Sequence, residues 1–307
     1  VPPELIDLTD QFVTLTPNQW LGIPVALIAA VFLALGAQFQ HRGVGRVEAD
    51  TGEVDTSPGL SPKQVLLLLA RPSWVIGTLM LGLAVLLQLT SLYLAPIIVV
   101  QPLGAIALVI TAVVNARVSK VALDRKSIQA IAFCVGGVGL FVTVAAFTAK
   151  SSPISAAQLG VILAILGVIT MGFSLAFAFL RDKFKAIVFI LGAGVLYGFV
   201  ATLAKVVIDR AKTGDFDWLT ITCILALLAA AILGGYFVQN AYSSGPPDLV
   251  IAGLTVVDPI VAVTIGIVVL QEAAGAPWYA AVAYLAAGAL AVSGVFQLAK
   301  HHPQAQH

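Results

Sequence analysis

The sequence predicts an all-α polytopic membrane protein of about nine transmembrane helices arranged as a 5+4 inverted repeat. Three observations predict it. Of the 307 residues, 60% are hydrophobic and 10% charged, with a mean hydropathy of +1.02, a composition foreign to soluble globular domains. The apolar residues fall into runs close to the roughly 20 residues that a helix needs to cross a bilayer. Two of these runs, Ile97 to Val118 and Pro246 to Leu270, share a pattern. Laying VVQPLGAIALVITAVVN over VVDPIVAVTIGIVVLQE puts Val99-Val100 on Val256-Val257, Gln101 on Asp258, Pro102 on Pro259 and Asn115 on Glu272.

The chain opens with a polar, acidic segment, 1–19. It carries Glu4, Asp7 and Asp10 and no basic n-region, so no cleavable signal peptide is expected. Spans are expected at 20–41, 73–94, 96–118, 127–148, 156–180, 185–208, 218–239, 247–270 and 278–299, with a tail at 300–307. The first repeat covers 20–180 with five helices, and the second covers 181–299 with four.

The first span ends in Gln38, Gln40, His41 and Arg42, read as an interfacial cap of snorkelling side chains, with a gate or anion contact as the alternative. No Cys or carboxylate stands at metal-ligand spacing from His41. The connection 42–71 starts as GVGRVEADTGEVDTSPGL, a solvated Gly-rich loop. It ends as SPKQVLLLLA, where Ser61 as N-cap, Pro62 at N1 and Gln64 at N3 predict a short surface helix before Pro72. Ala95-Pro96 alone joins the second and third spans, which makes a tight hairpin. Gly136, Gly137 and Gly139, with Gly192, Gly194 and Gly198, suit close helix packing. Cys134 and Cys223 fall in different leaflets and read as apolar filler without a disulfide.

Orientation follows from the basic residues. Twelve of the 16 Lys and Arg residues lie in 42–71, 117–126 and 181–185 or at Lys300; Lys150, Arg210 and Lys212 lie on the other side. That bias puts the N-terminus outside and the C-terminus in the cytoplasm, within the cytoplasmic (inner) membrane. Trp20, Trp74, Trp218 and Trp278 each stand at the start of a span, where interfacial anchors belong.

Asp258 sits at mid-span, followed by a proline. A charge there costs about 2.5–3.5 kcal/mol on insertion scales, and such groups face a cavity or a partner. It is the first substrate-site candidate; the alternative is a structural acid paired with Lys205. Its repeat mate Gln101 and the polar Gln88 join it, followed by Tyr197 and Asn240 from the sixth and seventh spans. Thr90, Ser91 and Tyr93 line the same stretch as Gln88. Pro102 and Pro259 are the expected hinges, freeing carbonyls for a solute. Glu272 and Asn115 end their spans, with Glu272 read as solvated near the interface and a capping or gating role as the alternative. Lys205 reads as a snorkelling residue.

The stretches ALGAQFQHRGVGR, LYLAPIIVVQPLGAIALVITAVV, CVGGVGLFVTVAA and VVDPIVAVTIGIVVLQE resemble the drug/metabolite transporter (EamA-like) superfamily, and within it the NIPA-type magnesium transporter-like branch. The likeness covers most of the chain, and the AP…PLGA pair is its most specific part. It implies a transporter with its site between the halves. It is also what suggests Mg²⁺ as cargo, held by Asp258. The branch's acidic residue in the second span has no counterpart here; Val85 stands in its place.

The expected function is secondary transport of a small solute by alternating access. The alternatives are a Mg²⁺ pathway and a non-transporting scaffold for cell-envelope proteins. A net charge of +1 offers no nucleic-acid footprint. There is no HExxH, Walker or Gly-x-Ser-x-Gly motif, so neither an enzyme nor a cofactor is expected. The expected partners are the solute or ion and membrane lipids; a homodimer stays open.

Overall fold

The computed structural model describes residues 15–51, 70–118, 124–150, 153–180, 186–214, 216–244 and 247–300. Among them no strand occurs, and nine helices are long and apolar enough to cross a membrane. This is the architecture of a multi-pass membrane protein. The predicted surface helix around Ser61 lies outside the described residues.

A capped turn, Pro17–Trp20, leads into α1, Gly22–Thr51. The Thr16 amide donates to Gln19 Oε1 (2.8 Å), the return half of a capping box. Helix α1 continues through Thr51, past the point where a loop was expected. Its extension, RGVGRVEADT, contains no proline, and propagating an existing helix through its two glycines still needs only one hydrogen bond per residue added.

Helix α2, Pro72–Leu94, has Pro72 at its first turn, where the missing N–H is not needed. Helix α3 is built of three consecutive pieces: Ile97–Val100, a 3₁₀ stretch Gln101–Ala105, and Ile106–Val118. Then follow α4 (Arg125–Thr148), α5 (Ala156–Leu180), α6 (Ala186–Thr213), α7 (Trp218–Ser244), α8 (Pro247–Val268) and α9 (Trp278–Lys300). Asp124 starts α4 by accepting from the Ser127 amide (2.8 Å), and Asp217 starts α7 by accepting from the Thr220 amide (3.0 Å).

Four pairings organise the bundle: α1 on α2, α6 on α7, α6 on α8, and α4 on α9. Small residues set them. A Cβ on Gly137 of α4 would stand 2.4 Å from the Ala291 nitrogen of α9, and one on Gly294 of α9 would stand 2.3 Å from the Cys134 nitrogen of α4. Helix α5 touches the rest mainly through α6 and α7. Cys134 and Cys223 are buried and free.

The core runs along the start of α3. Ile97, Ile98, Val99 and Val100 are wholly buried, as is Ala95 in the α2–α3 hairpin. That hairpin is therefore not an exposed turn. It is inserted beneath the α8–α9 connection at one end of the bundle, and this end positions the site.

Candidate functional site: a cavity between α1–α2 and α6–α8

A cavity of about 470 Å³ lies among α1, α2, α3, α6 and α8. Its wall is mostly apolar, with Leu33, Ala84, Val85, Leu92, Ala201 and Leu254 among the lining residues. Five polar side chains interrupt it: Gln88, Gln101, Tyr197, Thr255 and Asp258. Four sequence-derived candidates, Asp258, Gln101, Gln88 and Tyr197, thus come together from four helices. Pro259 lines the same space. Asn240 does not: it is on α7, outside the lining, and its Nδ2 donates to the Tyr236 carbonyl (2.7 Å) of its own helix.

The Asp258 carboxyl is held by packing rather than by hydrogen bonds. Its Oδ1 is buried without a hydrogen-bond partner among the described residues. A buried acceptor left unmatched costs about 1–3 kcal/mol, more when charged, so this atom is a place where a ligand would be stabilised. The backbone around it is fixed by close approach of α6. A Cβ on Gly194 would fall 2.6 Å from the Val257 Cβ; one on Gly198 would fall 2.6 Å from the Val261 Cβ and 3.0 Å from the Asp258 carbonyl oxygen. Tyr197 stands between those two glycines and faces the cavity.

Pro259 lies inside α8 and has no N–H to offer the carbonyl four residues back, that of Thr255. Both hinge candidates, Pro102 of α3 and Pro259 of α8, border a smaller void of about 90 Å³. The residues around that void, such as Val138, Phe141, Ile260 and Val263, are apolar.

The hairpin end of the bundle is closed by a charged cluster that includes Glu272 and Lys205, in roles other than the solvation and snorkelling expected from the sequence. Glu272 is buried, in contrast to the expected solvation. Its Oε1 accepts from the Ile97 amide and its Oε2 from the Ile98 amide, each at 2.9 Å. It therefore caps the first turn of α3, where the helix presents unpaired donors and a partial positive charge. Gly266 leaves the room: a Cβ there would meet Ile97 Cγ2 at 2.6 Å. The Glu272 carbonyl also accepts from the Lys150 amide (2.6 Å). Burial pushes the Glu272 carboxyl above its ordinary range, while the Ile98 amide, the Lys205 ammonium and the Ile97 amide pull it back.

Lys205 is likewise not snorkelling. At 2% exposure it donates to the Leu92 carbonyl (2.8 Å) and the Ala95 carbonyl (3.1 Å), and pairs with Asp209 (3.2 Å). It satisfies the end of α2 as Glu272 satisfies the start of α3. Lys212 adds a bond to the Tyr93 carbonyl and sits 4.0 Å over the Tyr93 ring. Arg210 pairs with Asp217 (2.8 Å) and donates to Thr220 Oγ1. The Thr220 amide holds the Asp217 carboxyl below its ordinary range.

Among the described residues no group of three or more His, Cys, Asp or Glu side chains forms a metal cage. The signal that could have found the closing cluster was the hairpin itself. A two-residue reversal between apolar helices strands amides and carbonyls, which need opposite charges nearby.

The chain is 27% identical over 254 residues to an uncharacterised protein of Corynebacterium glutamicum, covering 82% of this chain and 85% of that one. No protein family profile and no solved structure matches it.

Proposed function

We propose that the chain is a secondary transporter that moves a small solute by alternating access, as expected from its likeness to the drug/metabolite transporter superfamily. The observation that carries this reading is the cavity itself. It lies between two halves of the chain, holds an unpartnered buried carboxyl, and is shut at the hairpin end by Glu272 and Lys205.

The 5+4 inverted repeat is part of the reading, and packing supports it. Pro259 follows Pro102 by 157 positions (259 − 102). The Gly137 site meets Ala287 and Ala291, and the Gly294 site meets Ala130 and Cys134. Shifting the set Gly137, Ala130 and Cys134 by the same 157 positions gives Gly294, Ala287 and Ala291. A two-fold axis between α4 and α9 would produce this reciprocity. The α1–α2 and α6–α7 pairings match under the same operation. Inverted repeats with a midplane site at bent helices are a common build of secondary transporters.

In this reading the bundle sits in the cytoplasmic membrane with its N-terminus outside and C-terminal tail inside. The hairpin end faces outward. The described state is closed there, and Leu33 and Val85, which line the cavity near the middle of their spans, are exposed. Mg²⁺ stays as an arm of the tests below. It needs one or two carboxylates and keeps several waters. The scaffold alternative predicts a cavity filled by side chains and an exposed face for a partner, with no access that alternates between the two sides.

Labelling separates these. With Cys134 and Cys223 replaced by Ala, Gln88→Cys is treated with a membrane-impermeant maleimide in right-side-out and in inverted vesicles. Alternating access expects modification from both faces. Modification from one face alone, with the protein folded, sinks the transport reading.

A further inference from the structure

We infer that the solute is an organic monocation with an apolar body, an alkyl- or arylammonium whose charge docks on Asp258. The inference rests on the transport reading and deepens it by naming the solute class.

The polar groups of the cavity lean one way. The charged group is a carboxyl, and its Oδ1 is buried and unmatched. The Thr255 carbonyl, deprived of its helical donor by Pro259, stands one turn before it in a residue that also lines the cavity. The Gln88 and Gln101 amides and the Tyr197 hydroxyl complete the polar set. Among the described residues no Lys, Arg or His lines the space. Lys205 follows the lining residue Ala204, but its ammonium is committed to the Leu92 and Ala95 carbonyls and to Asp209. An anionic solute would meet an unscreened like charge here. A primary ammonium brings three donors and a positive charge to acceptors that lack both.

The rest of the wall sets the body of the solute. Ala29, Ala30, Leu33, Val200, Ala201 and Leu254 offer apolar surface, which gains from burying an alkyl or aryl group and cannot replace the waters of a small dication. A volume of about 470 Å³ lies within the range of ordinary small-molecule sites.

The test is isothermal titration calorimetry on the full chain purified in detergent. Four probes are used: phenethylammonium, its neutral relative 2-phenylethanol, the anion 3-phenylpropionate, and Mg²⁺ alone. The inference expects phenethylammonium to bind at least roughly 30-fold more tightly than either organic relative, and Asp258→Asn to remove that preference. Asp258→Glu should retain part of it. Gly104→Leu tests the place without touching the charge. Gly104 lines the cavity, and a Cβ there meets nothing within 4 Å, so a leucine starts from open space beside the site. Binding should be lost.

Equal binding of the neutral or anionic probe overturns the inference, as does binding of Mg²⁺ alone, or phenethylammonium binding that survives both Asp258→Asn and Gly104→Leu. The two readings fail separately. If Gln88→Cys is labelled from both faces while phenethylammonium does not bind, the solute class is wrong and transport stands. If phenethylammonium binds at Asp258 while labelling stays one-sided, the site is right and the transport reading is wrong.

Discussion

Helices α3 and α8 carry proline at matching positions and use it differently. In α3 the proline opens a 3₁₀ stretch, Gln101–Ala105, after a single α-turn. In α8 the helix runs unbroken from Pro247 to Val268 with Pro259 inside it. The start of α3 is fully buried and tied down by Glu272, and its polar residue Gln101 is neutral. The matching position of α8 holds Asp258, whose Oδ1 has no partner among the described residues. One copy of the motif anchors the bundle and the other presents an unsatisfied group. Under the proposed transport reading one solute site needs only one unsatisfied copy, which leaves the proposed repeat room to specialise.

The strongest way to break that comparison is to remove the anchor. Glu272→Ala leaves the Ile97 and Ile98 amides buried without acceptors and Lys205 with one fewer counter-charge. Breaking a buried charged contact from one side costs about 3–5 kcal/mol, and we expect a loss of about 3 kcal/mol or more in unfolding measured in detergent. A loss below about 1 kcal/mol would mean that α3 does not depend on this cap. Asp258→Asn should change stability far less, because it removes no bond that the described residues make.

The next largest effect concerns how α8 is held. Gly198→Val pushes a branched side chain against the Val261 Cβ and the Asp258 carbonyl, and overpacking of this kind costs about 1–3 kcal/mol. The same change displaces Asp258 relative to Tyr197, so phenethylammonium affinity should fall with stability. Gly104→Leu on α3 serves as the comparison, since its Cβ direction is empty. If both variants cost the same, the close approach of α6 and α8 is not what places Asp258.

How much of this was legible in the sequence differs between the two helices. Hydropathy sets the nine spans, because a bilayer accepts only long apolar helices. Asp258, Gln101, Gln88 and Tyr197 were legible as polar groups at membrane depth, where each must face something other than lipid. Asn240 met the same criterion, yet it bonds its own helix at Tyr236, an outlet that sequence pattern does not distinguish from a cavity. Glu272 and Lys205 were misread for a different reason. Their partners are the Ile97 and Ile98 amides and the Leu92 and Ala95 carbonyls, and backbone groups leave no letter in the sequence. The depth at which the hairpin is inserted decides whether an interfacial Glu is solvated or buried, and that depth is a tertiary fact.

The smallest expected effect sharpens the comparison most directly, because it exchanges the same atoms in both copies. Pro259→Ala restores the N–H that an α-helix would offer the Thr255 carbonyl four residues back. We expect a gain of about 1 kcal/mol in stability, since proline in a helix interior forfeits one bond and crowds that carbonyl. We also expect weaker phenethylammonium binding, because the Thr255 carbonyl would then be occupied. Pro102→Ala should be nearly neutral, within about 0.5 kcal/mol. Pro102 lies in the first turn of the 3₁₀ stretch, a position that proline tolerates, and the start of α3 is held by Glu272 in either variant. Parallel unfolding and calorimetric titration of the two variants read both quantities. Equal responses would make the two prolines equivalent hinges. Unequal responses in the stated direction would mean that α8 keeps an unbonded carbonyl beside Asp258 at a standing cost in stability, which is what a site shaped for a cation requires.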